Sequence, residues 1–114
     1  MGRVIEGYKT MVRKANEVAE AKSVMVGWNK VIQFTVEGEG EFYIKIENGT
    51  ASFHEGKHEK PDVNLKGSEE TFYKMLTGEL DATKAYFTRK YIIEGSMADA
   101  MKFGRLGTAI AKST

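Results

Sequence analysis

Apolar residues first recur at the spacing of a helix. Val4, Ile5, Tyr8, Met11, Val12, Ala15, Val18 and Ala19 stand three or four residues apart, an interval that returns to one helical face. Arg3, Glu6, Arg13, Glu17 and Glu20 fall elsewhere on the wheel and carry both signs. The pattern predicts an amphipathic helix packed on a sheet; a membrane-surface helix is the lesser alternative. Ser23 to Lys30 reads as a connecting turn around Gly27, docked by Trp28.

Period two then takes over. Ile32, Phe34 and Val36 alternate with Gln33 and Thr35, and Gly38 with Gly40 marks a turn. Phe42, Ile44 and Ile46 alternate with Tyr43, Lys45 and Glu47. Asn48-Gly49 follows, a strong hairpin signal, because a type I′ turn needs positive φ at both central residues. Ala51 and Phe53 alternate with Ser52 and His54; after Pro61-Asp62, Val63 and Leu65 alternate with Asn64 and Lys66. Each strand so predicted has one oily and one wet face. A sheet covered on one side only is expected, which favours antiparallel pairing.

Helices return after Gly67. Ser68 is a good N-cap, and Glu69 and Glu70 sit where the helix dipole welcomes negative charge. Phe72, Met75 and Leu76 form the apolar face and Gly78 ends the helix. Asp81 can cap a short helix holding Ala85, Tyr86 and Phe87, and Tyr91 to Gly95 reads as a last strand. Ser96 with Asp99 resembles a capping box for a terminal helix. In that helix Met97, Ala100, Met101, Phe103, Gly104, Leu106, Gly107, Ile110 and Ala111 span roughly 220° of the wheel, interrupted only by Asp99. Lys102, Arg105 and Lys112 share the remaining side. Large residues lie on the two flanks, and Ala100, Gly104, Gly107 and Ala111 lie between them. Such a groove admits a ligand chain beneath a helix that opens, or it packs closely on another backbone.

Composition narrows the classes. The chain has 114 residues, 41% hydrophobic and 29% charged, ordinary for a globular protein; the expectation is one domain over 1–114. Its 17 basic and 16 acidic residues leave a formal charge of +1, which argues against a nucleic-acid binder. Zero cysteines exclude disulfide scaffolds, thiolate metal sites and thiol catalysis. With no long apolar run for a span or a leader, a cytoplasmic location is expected.

Several motifs are decoys. His54-Glu55-Gly56-Lys57-His58 matches the zincin pattern, but that chemistry needs both imidazoles on one helical face. This copy ends a strand, so the histidines are expected to face solvent at a turn. Asn48-Gly49-Thr50 is a glycosylation sequon better read as the hairpin turn. Met1-Gly2 lacks the Ser or Thr that myristoylation wants where Glu6 stands. Lys112-Ser113 imitates a Walker A ending without its glycines. No nucleophile–base or acid–base pair stands out, so no catalysis and no cofactor are expected.

An apolar ligand site needs a concave lining of adaptable side chains. Phe34, Phe42, Ile44, Ile46, Phe53, Val63 and Leu65 supply one wall; Phe72, Met75, Leu76, Met97 and Met101 supply another, with Phe103 beside them. The same residues equally make a closed core, and alternation does not separate the two. Lys84, Arg89 and Lys90 cluster near the turn before the last strand and can meet a carboxylate or phosphate, although solvated surface charge is the commoner role.

Phe34-Thr-Val, Phe42-Tyr-Ile-Lys-Ile-Glu-Asn-Gly49 and Pro61-Asp62-Val63 together resemble the sheet of the sterol carrier protein type-2 domain. Met75-Leu-Thr-Gly78-Glu-Leu-Asp81, Ala85-Tyr86-Phe87, Lys90-Tyr-Ile-Ile-Glu-Gly95 and Met97-Ala-Asp-Ala-Met-Lys-Phe103 resemble its second half in order and spacing. The likeness runs from about Val31 onward; the first helix fits by position. Arg89 stands where the family usually has Gly, and Ser96 where it usually has Asp or Asn. The chain ends Ala-Lys-Ser-Thr, so the peroxisomal address of some relatives is not carried over. The resemblance implies an α+β fold: a curved five-stranded, mostly antiparallel sheet, helices covering one face, and an apolar tunnel between the layers. It also implies non-catalytic binding or transfer of fatty acids, acyl-CoA thioesters or sterol-like lipids. The expected partners are a small-molecule lipid and, transiently, a membrane, but no nucleic acid. The alternative is a protein-interaction or dimerisation module that uses the apolar face. Oligomeric state stays open, a homodimer included.

Overall fold

The structure, a computed structural model, describes residues 2–112. Met1, Ser113, Thr114 and the Lys112 side chain lie outside the described residues, and with them the readings of Met1-Gly2, of the Lys112-Ser113 ending and of Lys112 on the basic helix side. Ten elements run α1 (Arg3–Ala15), α2 (Ala19–Met25), β1 (Lys30–Glu37), β2 (Gly40–Glu47), β3 (Thr50–Glu55), β4 (Val63–Ser68), α3 (Glu69–Leu76), α4 (Ala82–Phe87), β5 (Tyr91–Gly95) and α5 (Met97–Lys112).

The periodic stripe at the start is two helices, not one. Asn16 leaves the helix and gives both halves of its amide to the edge of the sheet. Its Nδ2 donates to the Ala51 carbonyl and its Oδ1 accepts from the Ala51 N–H, each at 2.8 Å. One side chain so pairs a backbone unit that an edge strand otherwise exposes. The stretch expected as a turn from Ser23 is helical as far as Met25, and Gly27 turns the chain at φ +70°.

The five strands form one open mixed sheet in the order β3-β2-β1-β4-β5. The meander uses one side of β1, so β4 takes the other and runs parallel to it; the remaining pairs are antiparallel. Asn48 and Gly49 carry φ of 54° and 76°, as a type I′ turn requires. Asp62 fixes the return: its carboxylate accepts from the Val31 N–H at 2.8 Å, and its own N–H donates to the Val31 carbonyl at 2.9 Å. One expected wet position is buried. Gln33, 1% exposed, donates to the Phe42 and Gly56 carbonyls and accepts from the His58 N–H, because the segment after β3 crosses over it.

Helices pack on the inner sheet face. Phe34 and Phe42 stack with ring centroids 4.6 Å apart, and Tyr8 of α1 lies 4.7 Å from Phe34. The α1 N-terminus is held by a distant acid: Glu39, in the β1–β2 turn, accepts from the Val4 and Ile5 N–H groups at 3.0 Å. Ser68, Asp81 and Ser96 cap α3, α4 and α5. The Ser96–Asp99 pair is not a reciprocal box. The Asp99 carboxylate turns inward, accepts from the Trp28 indole at 2.9 Å and lies 3.5 Å from the Lys30 ammonium. Burial pushes that carboxyl upward, but the bonds from Trp28 and Ser96 and the Lys30 charge outweigh it, leaving it below its ordinary value.

Candidate functional site

A cavity of about 830 Å³ lies among α1, α3, the start of α4 and α5, with Leu65 of β4 and Tyr91 of β5 on its floor. Three sequence features shape it. The first is the small-residue stripe of α5: Ala100, Gly104, Gly107 and Ala111 all line the cavity. A Cβ built on Gly104 meets nothing within 4 Å, and one on Gly107 meets only the tip of Met11 at 3.5 Å. The two glycines therefore face space and not a closely packed backbone. The second is Gly7, where a Cβ would stand 2.6 Å from the Leu76 side chain; glycine lets α3 approach α1 on that side. The third is a set of flexible linings, Met11, Met75 and Met101, which adapt to varied shapes.

Of the sequence-predicted site residues, Leu65, Met75, Leu76, Met101 and Phe103 line this cavity. Phe34, Phe42, Ile44, Ile46, Val63 and Phe72 do not; each is 1% exposed or less and fills the closed core between sheet and helices. Phe53, partly buried, stacks on Phe42 at 5.1 Å, and Met97 is 38% exposed at the start of α5. The inner strand face is thus occupied by Val4, Tyr8 and Val12 of α1, also buried, and the hollow lies where α3 and α5 diverge.

Sequence reasoning missed Gly7, Tyr8, Met11 and Tyr91. Tyr8 and Met11 were visible only as members of the first stripe, where a core side chain and a cavity lining have the same spacing. Both phenols are pushed above their ordinary range, each chiefly by burial, with Tyr91 adding to the effect at Tyr8. They are neutral hydroxyls at physiological pH. Lys14, half-buried, and Arg105, exposed, stand at the cavity's edge. Lys84, Arg89 and Lys90 are not among its lining residues; Lys90 instead borders a small cleft with Glu70, Lys74 and Glu79.

The histidines lie on the opposite sheet face. His54 stacks on Tyr43 at 4.8 Å and shares a 2.8 Å hydrogen bond with Ser52, while His58 meets the same tyrosine edge-on at 5.0 Å. Both are half-buried on that ring and not free in solvent. Among the described residues no group of three or more His, Cys, Asp or Glu side chains could hold a metal ion, and no helix is long and apolar enough to cross a membrane.

A family profile described as the SCP-2 sterol transfer family matches residues 9–107. The chain is 30% identical over 104 residues to hydroxysteroid dehydrogenase-like protein 2 of Xenopus tropicalis, covering 89% of this chain and 24% of that protein. It therefore spans about a quarter of the length of that curated relative. Among solved structures, the sterol carrier protein domain 2 of Helicoverpa armigera matches with a TM-score of 0.67 at 28% identity, over 92% of this chain and 86% of that one. Palmitated SCP2L2 from Aedes aegypti matches with a TM-score of 0.71 at 15% identity, over 94% and 95%; that likeness is one of fold.

Proposed function

The chain belongs to the SCP-2 sterol transfer family, whose domains bind and transfer lipids, and on that premise we propose that its cavity takes an acyl-chain lipid. The observation that carries the reading is the α5 stripe, because four small residues in register line the cavity and its two glycines face open volume or a flexible methionine tip. About 830 Å³ falls within the roughly 300–1,000 Å³ of small-molecule sites. Methionines on α1, α3 and α5 give a lining that reshapes around chains of different length. Lys14 and Arg105 suit the anionic end of a fatty acid or acyl-CoA at the cavity edge, and release to an acceptor membrane implies transient membrane contact. No covalent step belongs to this reading, which concerns the lipid site and not the activity of longer proteins carrying such a segment.

Native mass spectrometry on gently purified protein tests it. The expected spectrum carries an acyl-lipid adduct, about one per chain, that added palmitate displaces; palmitate is the first probe because the mosquito protein of the same fold is described with it. A bare dimer that takes up no lipid would instead favour the dimerisation module.

A further inference from the structure

The corner between α4 and β5 carries the most exposed large apolar side chain among the described residues. Phe87 is 75% exposed, and its ring meets Tyr86 edge-on at 5.5 Å. Three exposed cations, Lys84, Arg89 and Lys90, stand within three residues of it, and no acid occurs between Asp81 and Glu94. Among the described residues none of the three forms an ion pair. Glu70 and Glu79 share a small cleft with Lys90, but both face Lys74, at 3.5 and 3.9 Å. The Asp81 carboxylate caps α4 by accepting from the Lys84 N–H. Arg89 holds its cation here at φ +60°, a conformation that penalises a side chain.

The corner adjoins the cavity. Asp81, Ala82 and Thr83 line it, as does Tyr91, whose hydroxyl donates to the Ala82 carbonyl at 3.1 Å. Residues 84–90 join these two lining stretches. An exposed aromatic ring among cations suits the headgroup layer of an anionic bilayer, where the ring enters the apolar boundary and the charges meet phosphates. A second copy of the chain suits it poorly, because a two-fold contact repeats the same patch and sets these cations against themselves. We propose that the α4–β5 corner is the surface by which the protein docks on an anionic membrane, with Phe87 entering the headgroup boundary and Lys84, Arg89 and Lys90 facing lipid phosphates. This rests on the lipid reading of the cavity and names the face that a donor or acceptor membrane meets.

Cosedimentation with phosphatidylcholine vesicles, with and without phosphatidylglycerol, tests it. Wild type should bind the anionic vesicles, and salt should release it. Phe87→Ser should weaken that binding by about tenfold or more. Arg89→Gly should weaken it by about fivefold, the weight of one cation at the surface. Glycine suits the turn, so an impaired fold does not explain that loss. Lys60→Gln, which removes an exposed cation from the segment between β3 and β4, should bind as wild type does. Equal loss in Lys60→Gln overturns the proposal, as does unchanged binding by Phe87→Ser. Binding of wild type to neither vesicle leaves the corner to a protein partner and overturns it too. Uptake of cis-parinaric acid, measured on the same proteins, keeps the two readings apart. Uptake without vesicle binding removes the docking surface alone, whereas vesicle binding lost in Phe87→Ser with uptake retained supports it. Absence of uptake by wild type removes the lipid reading, and with it the docking role built on that reading.

Discussion

Arg89 sits at φ +60° between α4 and β5, a left-handed conformation that an L side chain adopts at a penalty and glycine adopts freely. The segment needs it there: the Arg89 N–H closes on the Tyr86 carbonyl at 3.0 Å and the Lys90 N–H on the Ala85 carbonyl at 2.7 Å, reversing the chain into β5. Arg89→Gly should therefore stabilise the protein by about 1 kcal/mol, seen as a higher urea midpoint with unchanged slope. At this scale the turns were readable in advance, since Asn48-Gly49, Ser68, Asp81 and Ser96 act through local geometry that the sequence itself specifies. Side chains that act at a distance were not. Asn16, Gln33, Glu39 and Asp99 bond to residues between 9 and 71 positions away, and no periodicity encodes a partner that the fold alone brings near.

Among the elements, α5 shows how a pattern earns its interpretation only in place. Its wide apolar arc fits two tasks at once. Leu106 and Ile110 are buried, while Gly104 and Gly107 meet open space or a flexible methionine tip. Glycine inside a helix lowers its stability by about 1 kcal/mol relative to alanine, and here no close neighbour requires it. Gly104→Ala with Gly107→Ala should raise the melting temperature, gaining about 1 kcal/mol per site, and should slow lipid exchange with vesicles by stiffening the helix over the cavity. A cooperative fall in melting temperature with unchanged exchange would instead indicate a tightly packed stripe. The first helix teaches the converse: its apolar spacing continues through Val18 and Ala19, yet the chain breaks at Asn16 to pair with β3, because a tertiary hydrogen bond outweighs local periodicity.

For the whole molecule, the division of labour between core and cavity is what alternation along strands does not encode. An inward strand residue is the same in sequence whether a helix packs on it or a ligand does. Here Tyr8 of α1 packs on Phe34 and Phe42, which with Ile44 and Ile46 become core, and the hollow lies in the space among α1, α3 and α5. The central claim is that this hollow holds lipid, and Gly104 offers the most direct test because its Cβ direction points to space with nothing within 4 Å. A phenylalanine there starts from open space and should occupy the cavity. Fluorescence titration with cis-parinaric acid should give saturable uptake by the wild type, about one per chain. Gly104→Phe, with its urea stability retained, should show at least a tenfold loss of affinity, about 1.4 kcal/mol. Equal uptake by the folded variant would contradict a lipid site in this cavity.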